Sequence, residues 1–202
     1  MPIRTQNRSD ATQRDVVIAR RFDAPRALVW RAWTEPEALA QWWGPRGFVT
    51  RVEALELRVG GRLLLHLRAP DGSVHPAQGV FRELVAPERL VIAGEAADGH
   101  PCGAGLPPRS VVTVTLAEQG NATLLTFHAR LASAAARATA HQAGFDTGWN
   151  DSLDALARHL ATRLTIPAAP ASWIDGPSAH GDCLVETILE RRPLTAGKAL
   201  GT

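Results

Sequence analysis

The stretch DAPRALVWRAWTEPEALAQWWGPRGF, residues 23–48, decides the fold of this chain. It predicts two short helices, the first capped by Asp23 and the second opened by Thr34 and Glu37, whose spacing is typical of a capping box. The glycine and proline that follow end the second helix. Helices this short are unstable alone, and these two carry four tryptophans. We therefore expect them to pack against a large apolar surface made by the rest of the chain.

The residues that follow predict an antiparallel sheet. Within residues 62–68, leucines at alternate positions face one side and His66 faces the other, which is the pattern of a half-buried strand. Comparable segments lie at 15–22, 74–85 and 109–118, and turn sequences such as Pro-Asp-Gly separate them. Together these patterns predict about six or seven strands in a curved sheet.

A helical region begins at Ser133, is interrupted at Gly144 and continues as a long helix to Arg163. Its apolar residues recur at intervals of four, four, three and four, which places them on one helical face: Phe145, Trp149, Leu153, Leu156 and Leu160. This face must bury against the sheet, so the pattern predicts an α+β domain.

The two ends of the chain differ from this domain in composition. Residues 1–14 are polar and lack periodicity, so we interpret them as a flexible lead to a domain over residues 15–163. Residues 164–202 begin as a Pro/Ala-rich linker and continue as a tail, in which 182–192 could form a short helix.

Five motifs occur in a characteristic order: FDAPRALVWRAWTEPEALAQWWGP, VGGRL, APDGS, GVFRELVAPERLV and GFDTGWNDSLDALARHL, which start at residues 22, 59, 69, 79 and 144. With these motifs, residues 15–163 resemble the bacterial activator of heat-shock-protein-90 ATPase homologue family, part of the START-like (SRPBCC) helix-grip superfamily. The resemblance implies a curved antiparallel sheet wrapped on a long C-terminal helix, with two short helices closing one end.

The helix-grip arrangement implies a site for a small molecule. A straight helix and a curved sheet cannot touch along their whole length, so an apolar cavity is expected between them. The predicted ligand-binding residues are Trp33, Trp42, Trp43, Leu65, His75, Phe81, Glu83, Phe127, Phe145 and Trp149. The apolar members of this set are also what an ordinary core would contain.

Three positions stand apart from an ordinary core. Trp42 and Trp43 are adjacent at a helix end, where we do not expect both indoles to point inward. Gly148 lies in mid-helix, where glycine costs about 1 kcal/mol relative to alanine. We expect it to admit a strand or a ligand, with plain helix–sheet packing as the alternative.

The polar candidates are fewer. His75 is predicted to point into the cavity as a hydrogen-bonded wall residue, whereas His66 and His128 are expected on the outer face. Glu83 shares the inner face with Phe81 if the strand alternates regularly, and a buried carboxylate there would have a raised pKa. The alternative is a surface glutamate paired with an arginine such as Arg109.

One set of residues has the chemistry of a metal site. His100, Cys102, His180 and Cys183 offer two imidazoles and two thiols, a ligand set that zinc accepts. Their spacing matches no common zinc finger, and two distant segments would have to meet. We therefore predict no metal and no cofactor.

The composition excludes several classes of protein. A formal net charge of +2, without a basic run, gives no support for nucleic-acid binding. The longest apolar runs are too short for a membrane span, and the polar N-terminus is unlike a secretory signal. Two cysteines do not make a disulfide framework, so a cytoplasmic protein is expected.

These observations favour binding of a small hydrophobic or amphipathic molecule, without covalent chemistry. The first alternative is a cyclase-like or hydrolase-like enzyme using His75, Glu83 or Arg109. The second is a co-chaperone that activates an ATPase, as the family name suggests, which would need a protein-facing surface. Self-association as a homodimer stays open at this point.

Overall fold

The computed structural model describes residues 13–96 and 103–165. In chain order the elements are β1 Asp15–Phe22, α1 Arg26–Thr34, α2 Pro36–Leu39, β2 Val49–Leu55, β3 Arg62–Arg68, β4 Val74–Val85, β5 Arg89–Gly94, β6 Val111–Gln119, β7 Ala122–Arg130, α3 Ala134–Gln142 and α4 Phe145–Thr165. Most residues of the predicted lead and tail, including 182–192, lie outside the described ranges.

The strands of the described part form one antiparallel sheet in the order β1-β7-β6-β5-β4-β3-β2. Strands β2 to β7 form a meander, and β1 pairs with β7, so β1 and β2 are the two edges. Helices α1 and α2 carry the chain from one edge strand to the other. The predicted α+β helix-grip fold is confirmed.

The core lies between the inner face of this sheet and the apolar face of α4. Alternation along β3 buries Leu63, Leu65 and Leu67. The apolar stripe predicted for α4 is buried along its whole length: Phe145, Trp149, Leu153, Leu156 and Leu160. At about 25 cal/mol per Å² of apolar surface removed from water, this burial is the main driving force for folding. No helix of the described ranges is long and apolar enough to cross a membrane.

The second short helix starts one residue later than its sequence suggests. Glu35 is the N-cap of α2 in an extended conformation, with no side-chain capping bond. The cause is Pro36, which occupies the first helical position and disfavours a helical conformation in the residue before it. Thr34 therefore closes α1, where its Oγ1 donates to the carbonyl of Trp30 at 2.9 Å. The predicted capping box of Thr34 and Glu37 is wrong.

The first short helix also lacks the predicted cap. Pro25 takes the N-cap position of α1 and forms no side-chain capping bond. Asp23 lies two residues earlier and pairs with Arg21 at 2.8 Å on the surface. Without either cap, α1 depends on its buried face, Val29, Ala32 and Trp33.

Helices α3 and α4 are joined at Gly144, where φ is +79°. The N-cap of α3 is Ser133, whose Oγ accepts from the backbone N–H of Ala136 at 3.0 Å. Arg137 of α3 donates to both carboxylate oxygens of Asp146 in the first turn of α4, each at 3.1 Å. Both bonds come from Arg137 Nη2, and this charge-assisted contact holds the two helices together.

Gly148 is packed against the backbone of the loop that follows β5. A Cβ built on Gly148 would lie 2.6 Å from the carbonyl oxygen of Gly103 and 2.7 Å from its Cα. A Cβ on Gly103 would lie 2.5 Å from the carbonyl oxygen of Gly144. The close approach that glycine permits is therefore made by a loop, and not by the strand or the ligand that the sequence suggested.

The turn between β3 and β4 follows the Pro-Asp-Gly signal. Ser73 donates to Asp71 Oδ1 from its backbone N–H at 2.9 Å and from its hydroxyl at 2.6 Å. These hydrogen bonds lower the pKa of Asp71, and the charge of nearby His75 lowers it further. Because the ionised carboxylate accepts the bonds, the turn is held most firmly when Asp71 is charged.

We predict that Gly148→Ala destabilises the domain, against the helix propensity of alanine. On an exposed helix the change would stabilise by about 1 kcal/mol. Here the new methyl group meets backbone that cannot rotate away, so the free energy of unfolding should fall by about 1–3 kcal/mol. Urea denaturation followed by circular dichroism measures it, with the exposed neighbour Thr147→Ala as control. A stability equal to or above that of the parent would show that Gly103 is not in contact with α4.

Ser73→Ala should raise the pKa of Asp71 towards the value of a free aspartate. Because the pKa of Asp71 is lowered in the folded state, the ionised carboxylate stabilises the fold fully when the pH is above the pKa of the unfolded chain, about 3.9. That effect is lost as the pH falls through the folded value. The variant should therefore lose less stability on acidification. A ¹³C-carboxyl NMR titration measures the pKa, Val74→Ala serves as control, and an unchanged Asp71 curve would contradict the assignment.

Candidate functional site

Six aromatic side chains form one buried cluster between α4, β7 and the two short helices. We call them the aromatic cluster: Trp33, Trp42, Trp43, Phe127, Phe145 and Trp149. All are at most 2% exposed. Ring centroids are 4.1 Å apart for Phe127 and Trp149, 4.6 Å for Trp33 and Trp42, and 4.9 Å for Trp43 and Trp149. Such distances are direct ring contacts, so these side chains fill space that the sequence assigned to a cavity.

Trp42 and Trp43 both point inward, contrary to the sequence expectation. Helix α2 ends at Leu39, and the chain then turns, so the two indoles are not constrained to helical geometry. Trp42 Nε1 donates to the carbonyl of Ala32 at 2.8 Å, and Trp43 Nε1 donates to that of Ala104 at 2.9 Å. Each buried indole N–H thus has the partner that burial demands.

Helix α4 holds this turn in place through polar contacts. The backbone N–H of Gly44 donates to Ser152 Oγ at 3.1 Å, and Ser152 Oγ donates to the carbonyl of Gly148 at 2.8 Å. Thr50 Oγ1 donates to the carbonyl of Trp43. The indole of Trp43 is therefore positioned from α4, from β2 and from the loop after β5.

The other two cluster indoles have no hydrogen-bond partner in the part of the chain that the structure describes. Trp33 Nε1 and Trp149 Nε1 are buried, and neither has an acceptor within the described ranges. The rings are almost parallel, at 7°, with centroids 6.3 Å apart. A buried unpaired donor costs about 1–3 kcal/mol. Sequence reasoning identified both residues but missed this feature, because hydrogen-bond partners depend on contacts between distant segments.

The buried interior is otherwise neutral. The buried polar residues of the described part are Thr50, Ser110, Thr123 and Ser152, and none is ionisable. Thr123 Oγ1 donates to the carbonyl of Ala24 at 2.7 Å, whereas Ser110 Oγ, at the entry to β6, has no partner in the described residues. Among the fully buried residues of the described part, the side-chain groups without a hydrogen bond are thus two indole N–H groups and one hydroxyl. Buried nitrogens of three half-buried residues, Arg14, Arg26 and His128, also lack one within the described residues.

His75 lies on the inner face, at one end of the sheet. It pairs with Leu67 across β3 and β4, and directly opposite residues share a face. Its ring lies 5.8 Å from that of Phe48, and its Nε2 is 3.0 Å from Ser73 Oγ. The side chain is half-buried, so it stands at the rim of the interior. Leu65 and Phe81 lie deeper on the same face and are almost fully buried.

Glu83 does not join this face. The register of β4 against β5 shifts between Phe81, opposite Ile92, and Glu83, opposite Val91. The bulge inserts one extra residue and turns Glu83 to the outer side. There it accepts from Arg89 Nε at 3.0 Å. The expectation of an inner-face Glu83 fails because regular alternation was assumed. The alternative of a surface glutamate paired with an arginine holds, with Arg89 in place of Arg109.

The remaining polar candidates are peripheral. Arg109 is exposed at the turn before β6. His66 lies on the outer face 3.3 Å from Glu53, and His128 lies 3.3 Å from Asp15. The four residues of the zinc hypothesis, His100, Cys102, His180 and Cys183, fall outside the described ranges.

We predict that phenylalanine substitutions separate the paired indoles from the unpaired ones. Trp43→Phe deprives the buried carbonyl of Ala104 of its donor, whereas Trp33→Phe removes a donor that had no partner. Because both rings are about equally buried, Trp43→Phe should cost about 1–3 kcal/mol more. Urea denaturation measures the difference. If Trp33→Phe proves equally costly, its N–H has a partner in solution.

Comparison with known proteins supports the fold. A structure of protein CV1439 from Chromobacterium violaceum is 31% identical, with a TM-score of 0.61, and the match covers 73% of this chain and 96% of that one. A protein from Arthrobacter aurescens is 25% identical, with a TM-score of 0.66 and coverage of 76% and 89%. An AHSA1-like protein from Aeromonas hydrophila, 24% identical with a TM-score of 0.58 and coverage of 74% and 93%, shares the fold. No curated protein matches the chain.

A family model matches most of the described domain. It is that of the Activator of Hsp90 ATPase homolog 1-like proteins, and the match runs from residue 23 to residue 161. This span begins with the tryptophan-rich stretch, includes every residue of the aromatic cluster and ends within α4. Because the match covers more than half of the chain, the chain belongs to the Activator of Hsp90 ATPase homolog 1-like protein family.

Proposed function

We propose that the domain binds a small hydrophobic or amphipathic molecule between α4 and the sheet. The observation that carries this proposal is the pair of buried indole N–H groups, on Trp33 and Trp149, without partners in the described residues. Folded proteins pair nearly all their buried polar groups. Two free donors in one apolar cluster are therefore best explained as groups that meet an acceptor from outside the chain.

The surroundings suit an apolar guest. Phe127 and Phe145 contact Trp149, and Leu153 continues the same face of α4. Such a lining with a few polar groups is typical of small-molecule sites. Because the rings contact one another directly, entry of a guest requires some indoles to shift, and the ligand would select the opened arrangement.

The rim supports an amphipathic ligand as well as a purely apolar one. His75 and Ser73 place polar atoms at the end of the inner face, and Phe48 places an aromatic ring beside them. A molecule whose apolar part lies against the aromatic cluster could keep a polar end at this rim. Its apolar part would then be removed from water, while the polar end stayed hydrated.

The enzyme alternative has less support. Two of its three candidate groups, Glu83 and Arg109, lie on the outer face or at an exposed turn. Catalytic groups must lie within hydrogen-bond reach of the reacting atoms. His75 alone reaches the inner face, so this candidate set is not assembled around the interior.

The proposal predicts that apolar compounds perturb the cluster indoles and spare an indole outside it. The full chain, labelled with ¹⁵N at the tryptophan indoles, would be titrated with neutral and ionised polycyclic aromatic probes. The N–H signals of Trp33, Trp43 and Trp149 should move, whereas that of Trp30, partly buried beside the core, should not. Native mass spectrometry of the purified protein would reveal any ligand that co-purifies.

The site assignment also predicts the effect of changing a cluster residue on α4. A charged substitution such as Leu153→Arg would unfold the domain and could not report on binding, so a conservative one is needed. Trp149→Phe keeps an aromatic side chain and should weaken probe binding while the fold persists, as judged by circular dichroism. Indole signals that respond to no probe, in a protein that carries no ligand, would refute the proposed function.

A further inference from the structure

We infer that the ligand presents a neutral, carbonyl-type oxygen to the indole N–H groups of Trp33 and Trp149 and carries no ionised group into the interior. This inference rests on the proposed function and adds the chemical class of the ligand. It follows from a count of donors, acceptors and charges around the aromatic cluster.

The unpaired polar groups of the aromatic cluster are hydrogen-bond donors. An indole N–H can donate a hydrogen bond and cannot accept one. Of the four cluster indoles, Trp42 and Trp43 donate to backbone carbonyls, whereas the N–H groups of Trp33 and Trp149 have no acceptor among residues 13–96 and 103–165. The missing partner is therefore an acceptor. A ketone, ester or quinone oxygen has two lone pairs and brings no donor of its own, so it satisfies the site without creating a new unpaired group.

Charge excludes a carboxylate as the buried acceptor. No ionisable side chain is among the buried residues of the described part. Two arginines beside α4 already face carboxylates on the surface of that helix. Arg20 lies 3.5 Å from Asp154, and Arg137 contacts Asp146. An anion at the cluster would lose its hydration without meeting a positive charge, which is strongly unfavourable.

The test uses two probes of nearly equal shape, 9-fluorenone and fluorene, which differ in one carbonyl oxygen. Both would be titrated into the full chain with ¹⁵N-labelled indoles. Fluorenone should move the Trp33 and Trp149 N–H protons downfield, as a new hydrogen bond does, whereas fluorene should perturb these signals without that downfield shift. Fluorene-9-carboxylate, ionised at pH 7, should bind at least about 10-fold more weakly than fluorenone, because its desolvation is uncompensated.

Substitutions of single indoles show which N–H group causes the preference for fluorenone over fluorene. A hydrogen bond contributes about 2- to 10-fold in affinity, so Trp33→Phe and Trp149→Phe should each reduce the ratio of the fluorene to the fluorenone dissociation constant by that factor. Trp30→Phe is the control, because the Trp30 indole lies outside the aromatic cluster. The control should leave the ratio unchanged even if it weakens both probes. Should the variants fail to fold, the proton shifts in the parent protein still decide the question.

The outcomes separate the inference from the proposed function. Fluorenone and fluorene could both bind at the cluster without downfield shifts, and the ratio of their dissociation constants could be the same in the parent and in the Trp33 and Trp149 variants. The carbonyl assignment would then be wrong, and ligand binding would stand. If the carboxylate binds as tightly as fluorenone, the neutral character of the ligand is wrong. If neither these probes nor any other apolar compound perturbs the cluster, both the inference and the function it rests on are refuted.

Discussion

The packing of Trp149 is the interaction on which the rest of the structure depends. This one side chain of α4 contacts Phe127 on β7 and both Trp33 and Trp43 from the tryptophan-rich stretch. It therefore joins the long helix, the sheet and the two short helices in a single contact region. The short helices lack side-chain caps, so their stability comes from this burial and from the polar contacts that α4 makes with the turn after Trp43.

Hydrogen-bond pairing within the cluster divides its indoles into two kinds. Trp42 and Trp43 are structural, because each donates to a backbone carbonyl and so helps to fix the chain around it. Trp33 and Trp149 bury the same kind of donor without a partner in the described residues. A protein selected for stability alone would gain by pairing or removing these donors. Their presence in the core is the physical basis of the binding role proposed for this region, because sites of function are where such violations are expected.

The sheet keeps charge away from this region by simple geometry. Alternation along β3 and β4 directs leucine, alanine and phenylalanine inward and sends most polar side chains out. The bulge in β4 extends this separation, since it moves Glu83 to the outer side beside Arg89. The described interior is thus apolar and neutral, with its polar character confined to indoles and hydroxyls. In an interior of this kind, unpaired hydrogen-bonding groups and buried charges are costly, and attraction between charges contributes little.

The sequence by itself determined the elements whose signal is local. Period-two alternation identified β3, the spacing of Phe145, Trp149 and Leu153 identified the buried face of α4, and the motifs identified the helix-grip fold. The tertiary structure alone decided which way adjacent tryptophans point and which donors are paired. Trp43 meets Ala104, 61 residues away, and Gly44 meets Ser152, 108 residues away. The position of Glu83 likewise depended on a bulge in the pairing of β4 with β5. Periodicity reports the local backbone, whereas hydrogen-bond partners and strand register are properties of segments that meet only in the folded chain.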